Sequence, residues 1–175
     1  MKQDLLGTAT RAAAALLCAV LILLPGLASA ELRKPSGQVL LTVSGKISET
    51  NAVGEALLDR TMLEEVGMRT LKTSNPFEEG TQTYEGILLR DLLNRVGASG
   101  DTLIAHALDG YTVEIPTSDA AKYPVLLAMK WNGKAMDVRN KGPIWIIYPI
   151  DEFPELKTEE ISGRSIWQLD KLLVQ

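Results

Sequence analysis

Between residues 142 and 149 the chain reads Gly142-Pro143-Ile144-Trp145-Ile146-Ile147-Tyr148-Pro149, five β-branched or aromatic residues in a row between two prolines. Proline has no amide hydrogen to give to a ladder, so Pro143 and Pro149 set the outer limits of pairing, and Gly142 allows a tight entry from the charged turn Arg139-Asn140-Lys141. About half a dozen residues are too few for a typical buried helix, and these side-chain types favour an extended backbone. The run is read as one strand. Because it does not alternate with polar residues, the rest of the chain must cover both of its faces.

The first thirty residues are a different kind of polymer. Lys2 and Arg11 precede the apolar run Ala12 to Leu24, which is followed by Pro25, Gly26 and the small-residue ending Ala28-Ser29-Ala30. A thirteen-residue apolar core is short against the ~20 residues of a spanning helix, and the ending suits a signal peptidase. The expectation is a secretory signal peptide over residues 1–30, cleaved after Ala30, with export to the periplasm or beyond and no stable membrane anchor afterwards. A flexible lead-in (31–38) and one domain (39–175) would follow. Lys2, Asp4 and Arg11 leave with the leader, so the formal charge moves from −4 to −5 over the remaining 145 of 175 residues. Such an acidic chain has no electrostatic footprint for nucleic acid. Cys18 is the only cysteine and leaves as well, which excludes a disulfide, a cysteine nucleophile or a thiolate ligand in the mature form.

Along the mature chain, Val39 to Ile47 reads as the first strand, and a helix is expected from Glu55 to Gly67 on the spacing of Ala56, Leu57, Leu58, Met62, Leu63 and Val66. Met68 to Thr73 alternates as a strand and runs into a long polar loop, Ser74 to Gly80; Thr81 to Gly86 returns toward the core. The strongest helix spans Ile87 to Gly97, with leucines on one face and Arg90, Asp91, Asn94 and Arg95 on the other. Asp109-Gly110 and Asn132-Gly133 each signal a hairpin. Thr117 or Ser118 is placed to cap a short helix over Asp119 to Lys122. Asp151 to Glu160 reads as an exposed acidic loop, and Arg164 to Val174 as a turn of helix with a closing strand. The sum is an α+β domain, a mixed and barrel-like β-sheet with two or three short helices.

His106 is the only histidine and cannot alone build a zinc site; a strand residue hydrogen-bonded at one nitrogen and a base or ligand contact both remain open. Arg139, Lys141, Arg164 and Ser165 flank the ends of the segment that contains the proline-bounded strand. They form either a convergent anion site or a solvated basic rim. The carboxylates from Asp151 to Glu160 lack calcium-loop spacing and read as solvated.

Five motifs in order carry a resemblance: Glu85 to Leu93, Asp109-Gly110-Tyr111 to Pro116, Leu127 to Lys134, Gly142 to Pro149, and Gly163-Arg164-Ser165-Ile166-Trp167-Gln168-Leu169. Together they resemble the molybdopterin-binding oxidoreductase domain of the sulfite oxidase family, from about Val39 to Val174. The resemblance implies a mixed α+β fold wrapping a molybdenum-pterin cofactor, with a cysteine on an early strand, in a pattern like Thr-Leu-x-Cys, as metal ligand. The nearest stretch here is Thr70-Leu71-Lys72-Thr73-Ser74-Asn75, so Thr73 stands where that cysteine would be. A threonine hydroxyl is a hard oxygen of far higher pKa than a thiol and a poor replacement for a thiolate on this metal. The family's closing motif also places a lysine where this chain has Trp167.

Two readings follow. In the first the chain is a non-catalytic, exported binding module with no cofactor. Its pocket, lined by Thr73, Ser74, Asn75, Tyr111, Arg139, Lys141, Trp145, Arg164 and Ser165, takes a small anionic ligand or docks a membrane-associated partner protein. In the second it binds molybdopterin through polar contacts and works as an oxidoreductase without a protein thiolate.

Overall fold

The computed structural model describes residues 32–175; the expected signal peptide and Cys18 lie outside the described residues. Ten strands form two five-stranded sheets. The first sheet contains β1 (Val39–Gly45), β2 (Glu55–Asp59), β5 (Thr102–Ala107), β6 (Thr112–Pro116) and β10 (Leu169–Val174), in the order β2-β1-β10-β5-β6. Only β1 and β10 run parallel in it. The second contains β3 (Met68–Asn75), β4 (Glu78–Leu88), β7 (Leu126–Trp131), β8 (Lys134–Ala135) and β9 (Trp145–Ile147), all antiparallel, with both β8 and β9 pairing to β7. Four short helices connect them: α1 (Arg60–Gly67), α2 (Leu89–Arg95), α3 (Thr117–Lys122) and α4 (Glu159–Arg164). The fold is α+β as the sequence implies, but neither sheet closes into a barrel, and four helices stand where two or three are expected.

The proline-bounded run behaves as its composition demands. Ile144 through Tyr148 are all buried, with Ile144, Ile146 and Tyr148 in the main core and Trp145 and Ile147 in a second cluster. Both faces are covered because the strand lies between these two clusters. Only Trp145–Ile147 pair as a ladder, with Leu126 to Ala128 of β7, and Ile146 N–H also donates to the Ile166 carbonyl (2.8 Å). The peptide before Pro143 is cis.

Three local expectations are corrected. Glu55–Asp59 is a strand rather than the start of a helix; Ala56 and Leu58 point to the core in register with β1, and Asp59 then caps α1 by accepting the Met62 N–H at 2.9 Å. The polar run after β3 is a tight hairpin, and β4 extends through Leu88, so α2 starts two residues later than its leucine pattern suggests. Gly86 lies at an irregularity of the ladder between β4 and β7, where a Cβ would fall 1.9 Å from the Leu127 carbonyl oxygen. Neither Thr117 nor Ser118 caps α3, whose N-cap position is Pro116.

The Asn132-Gly133 turn has φ of 48° and 78°, the left-handed pair that a type I′ hairpin requires. The lead-in is pinned rather than loose: Leu32 is buried in the core, and Asp59 Oδ2 accepts the Ser36 and Gly37 N–H groups at 2.7 and 3.0 Å. The acidic stretch after β9 holds a 3-10 turn (Pro154–Leu156) and the first two residues of α4; Leu156 in that turn and Ile161 in the helix are buried.

Candidate functional site

Trp145 is the hub of one end of the domain. Its ring lies 5.6 Å from Tyr84, 6.1 Å from Trp131, 6.4 Å from Trp167 and 6.4 Å from Phe77, mostly edge to face. Its indole N–H donates to the Ser165 carbonyl at 3.0 Å, which ties the C-terminal end of α4 to the strand. Ser165 itself is buried, its hydroxyl donating to the Ile161 carbonyl at 2.8 Å.

Lys141 sits over the same aromatic group, its Nζ 5.1 Å from the Trp145 centroid and 5.3 Å from that of Trp131, and it pairs with Glu78. Its backbone is in the left-handed region (φ 63°), where Gln168 N–H donates to its carbonyl at 3.1 Å.

The end of β3 is stitched to the turn after β9. Thr73 is fully buried; its hydroxyl accepts the Asp151 N–H at 3.3 Å and donates to the Ser74 carbonyl at 3.1 Å. The Asp151 carboxylate in turn accepts the Ser74 N–H (2.7 Å) and hydroxyl (2.6 Å). Those two bonds, the hydroxyl first, hold the Asp151 carboxyl below its ordinary range, with Lys157 at 3.5 Å adding to them. Asn75 donates to the Tyr84 hydroxyl and accepts the Phe77 N–H at 2.8 Å. Burial, reinforced by the nearby Glu78 carboxylate, pushes the Tyr84 phenol up and keeps it neutral.

Two cavities adjoin these elements. One, of about 380 Å³, is lined by Phe77, Asp109, Tyr111 and Trp167 with Ser162, Gly163, Ser165 and Ile166 at and just beyond the end of α4. The other, of about 420 Å³, is lined by Ser74, Asn75, Tyr148, Lys157, Glu159 and Ser165 among others. Ser162 and Ser165 border both.

The sequence-derived residues therefore divide. Ser74, Asn75 and Ser165 come together on the second cavity, and Tyr111 and Ser165 on the first. Tyr111 is half exposed, and its hydroxyl reaches the Gly163 carbonyl at 3.4 Å. Thr73 and Trp145 have no accessible surface and serve as packing and hydrogen-bonding elements rather than pocket wall. Arg139 is exposed in a 3-10 turn (Val138–Asn140) and lines neither cavity.

Arg164 lines neither cavity; it donates to Asp119 Oδ2 at 3.0 Å and pairs with Glu160. Asp119 also accepts the Tyr148 hydroxyl at 2.8 Å, and burial followed by this carboxylate pushes the Tyr148 phenol up. The convergent anion site drawn from Arg139, Lys141, Arg164 and Ser165 is thus not formed, because Lys141 and Arg164 each already meet a carboxylate. Glu78, Asp119, Asp151 and Phe77 were not singled out from the sequence as partners of this site; their neighbours lie 63, 45 and 77 residues away in the chain for the first three. His106 is a strand residue, its Nδ1 3.1 Å from the Thr112 hydroxyl.

The donor set does not suit a protein-ligated molybdenum. Among the described residues there is no cysteine and no group of three or more His, Cys, Asp or Glu side chains placed to hold a metal ion. The Thr73 hydroxyl is engaged both as donor, to the Ser74 carbonyl, and as acceptor, from the Asp151 N–H.

Comparison with known proteins agrees with the architecture. A family model described as "Oxidoreductase molybdopterin binding domain" matches residues 60–152, more than half of the chain. Among solved structures, the sulfane dehydrogenase SoxCD from Paracoccus pantotrophus superposes with a TM-score of 0.55 at 15% identity, over 77% of this chain. The match spans 37% of that structure's chain. No curated protein sequence matches.

Proposed function

The chain belongs to the oxidoreductase molybdopterin-binding domain family, and from that premise we propose that it is a binding module of the family that has left the metal chemistry behind. The observation that carries this is Thr73. The family resemblance puts it where a cysteine is expected; it has no accessible surface, and its hydroxyl joins β3 to Asp151. A hydroxyl of ordinary pKa does not replace a thiolate on molybdenum, and with Cys18 in the leader the mature chain has no sulfur nucleophile to offer. The module is exported, on the strength of the Lys2, Arg11, apolar-run and Ala-Ser-Ala pattern of residues 1–30. It keeps two cavities beside the aromatic hub and uses them to hold a small ligand or to dock a membrane-associated partner protein. A free small anion is a poor match, since the buried ends of Lys141 and Arg164 are already neutralised.

Family membership itself favours a second reading, in which the pterin cofactor is held by polar contacts alone. The two are separated by purifying the secreted form from cells that make molybdopterin and assaying molybdenum and, after oxidation, pterin fluorescence. The expected result is no molybdenum above background. One molybdenum per chain overturns the proposal.

A further inference from the structure

The cavity of about 380 Å³ is the most apolar concavity described, and its walls have one electrostatic character. Three aromatic rings line it: Phe77, Tyr111 and Trp167. Phe77 meets Trp167 edge to face at 5.0 Å, and Phe77 and Tyr111 keep 38% and 50% of their surface open to solvent. Asp109 is the one charged side chain on the wall, and no lysine or arginine lines it. Asp109 Oδ1 accepts the Tyr111 N–H at 2.9 Å, which sets the turn between β5 and β6, while Oδ2 has no donor among the described residues.

We propose that this cavity binds a small organic cation: an ammonium carried on a compact aromatic or aliphatic body. The volume lies in the range of small-molecule sites. Burying the body against Phe77, Trp167 and Ile166 supplies the affinity. The ring faces carry the negative end of their quadrupoles, so an ammonium over them is attracted. The free Asp109 oxygen at the mouth adds a full charge of the same sign. An anion of the same shape meets unfavourable potential from every one of these groups. This inference rests on the reading of the domain as a binding module, and names the ligand class for it.

The test uses the mature secreted protein, already assayed for molybdenum, titrated with three probes of one shape followed by NMR shifts of the backbone amides. Phenethylamine is the cation, 2-phenylethanol the neutral analogue and 3-phenylpropionate the anion. The amine is expected to bind tightest, with shifts around residues 107–111 and 163–167, and the anion at least about fivefold more weakly, the scale of one contact ion pair in a wet site. Asp109→Asn keeps the Oδ1 acceptor for Tyr111 and should narrow the amine's advantage over the alcohol to the part that the ring faces supply. Phe77→Ala, at an exposed ring, should weaken all three.

No saturable binding of any probe, an anion that binds as well as the amine, or an amine preference untouched by Asp109→Asn would each overturn the proposal. Molybdenum in the preparation together with an amine preference would sink the functional reading and leave this one standing. No molybdenum and no amine preference would do the reverse.

Discussion

Leu41, Val43, Leu103 and Leu172 pack in the main core as bare hydrocarbon, whereas Tyr84, Trp145, Trp131 and Trp167 at the β9 end pack as rings that also carry hydrogen-bonding groups. In the first region any side chain of the right volume and shape would serve, because dispersion and burial are not directional. In the second, orientation is fixed as well: the Trp145 N–H must find the Ser165 carbonyl, the Trp131 N–H finds Gln82 at 3.1 Å, and Lys141 must lie over two ring faces while meeting Glu78. The hydrocarbon region secures the sheets. The aromatic region sets the walls of the cavities, since Phe77 and Trp167 lean on Trp145 and also face the 380 Å³ cavity.

The contrast breaks most visibly at Trp145. Trp145→Ala should cost about 3–5 kcal/mol in urea unfolding, from lost ring contacts and an exposed Ser165 carbonyl, and should also abolish phenethylamine binding by freeing Phe77 and Trp167. Leu172→Ala in the main core should cost roughly 2–5 kcal/mol and leave the affinity of the folded protein unchanged. If Leu172→Ala loses the probe while Trp145→Ala keeps it, the division of labour between the two regions is wrong.

A smaller effect sharpens the same point. Glu78→Gln leaves Lys141, about three-quarters screened from solvent, over two rings with no counter-charge. The expected loss is about 1–2 kcal/mol, below the cost of breaking a fully buried pair because water still reaches both groups. Combining it with Lys141→Met should cost less than the sum of the two single changes, and strict additivity would mean that the pair is not coupled.

How far the sequence disclosed this follows the same division. The two-faced burial of Ile144 to Tyr148 was legible because an unbroken β-branched and aromatic run admits little else, and the Asn132-Gly133 turn because few residues other than asparagine and glycine readily accept its two positive φ angles. Glu55–Asp59 was misread because Ala56, Leu57 and Leu58 fit helical spacing as well as a strand, and only pairing with β1 decides between them. Glu78 to Gly80 reads as loop because its residues are polar or glycine; it is extended because β3 supplies the ladder.

The site was least legible. A basic residue in a sequence shows its charge but not its counter-ion, and here Glu78 and Asp119 come from distant segments to neutralise Lys141 and Arg164. The departure at Thr73 was visible only through the family resemblance; its burial and its bond to Asp151 needed the fold.

The least dramatic test concerns how each region fastens its periphery with a carboxylate. On the hydrocarbon side Asp59 accepts the N–H groups of Met62, Gly37 and Ser36, joining α1 to the lead-in, and these bonds, that of Met62 foremost, lower its pKa from the usual 3.8 to about 2. On the cavity side Asp151 is lowered by its bonds to Ser74. A native carboxyl with a lower pKa than in the unfolded chain binds its proton less readily, so its contribution is fully present above the unfolded value and is lost as pH falls through the native one. Stability should therefore decline from about pH 4 toward pH 2. Asp59→Asn should flatten that limb and weaken the protection of the Ser36 and Gly37 amides against hydrogen exchange, without touching those of Ser74. Asp151→Asn should do the converse, exposing the Ser74 amide while leaving the lead-in protected. An acid limb unchanged in both variants would mean that the fastening lies elsewhere and that neither carboxylate distinguishes its region.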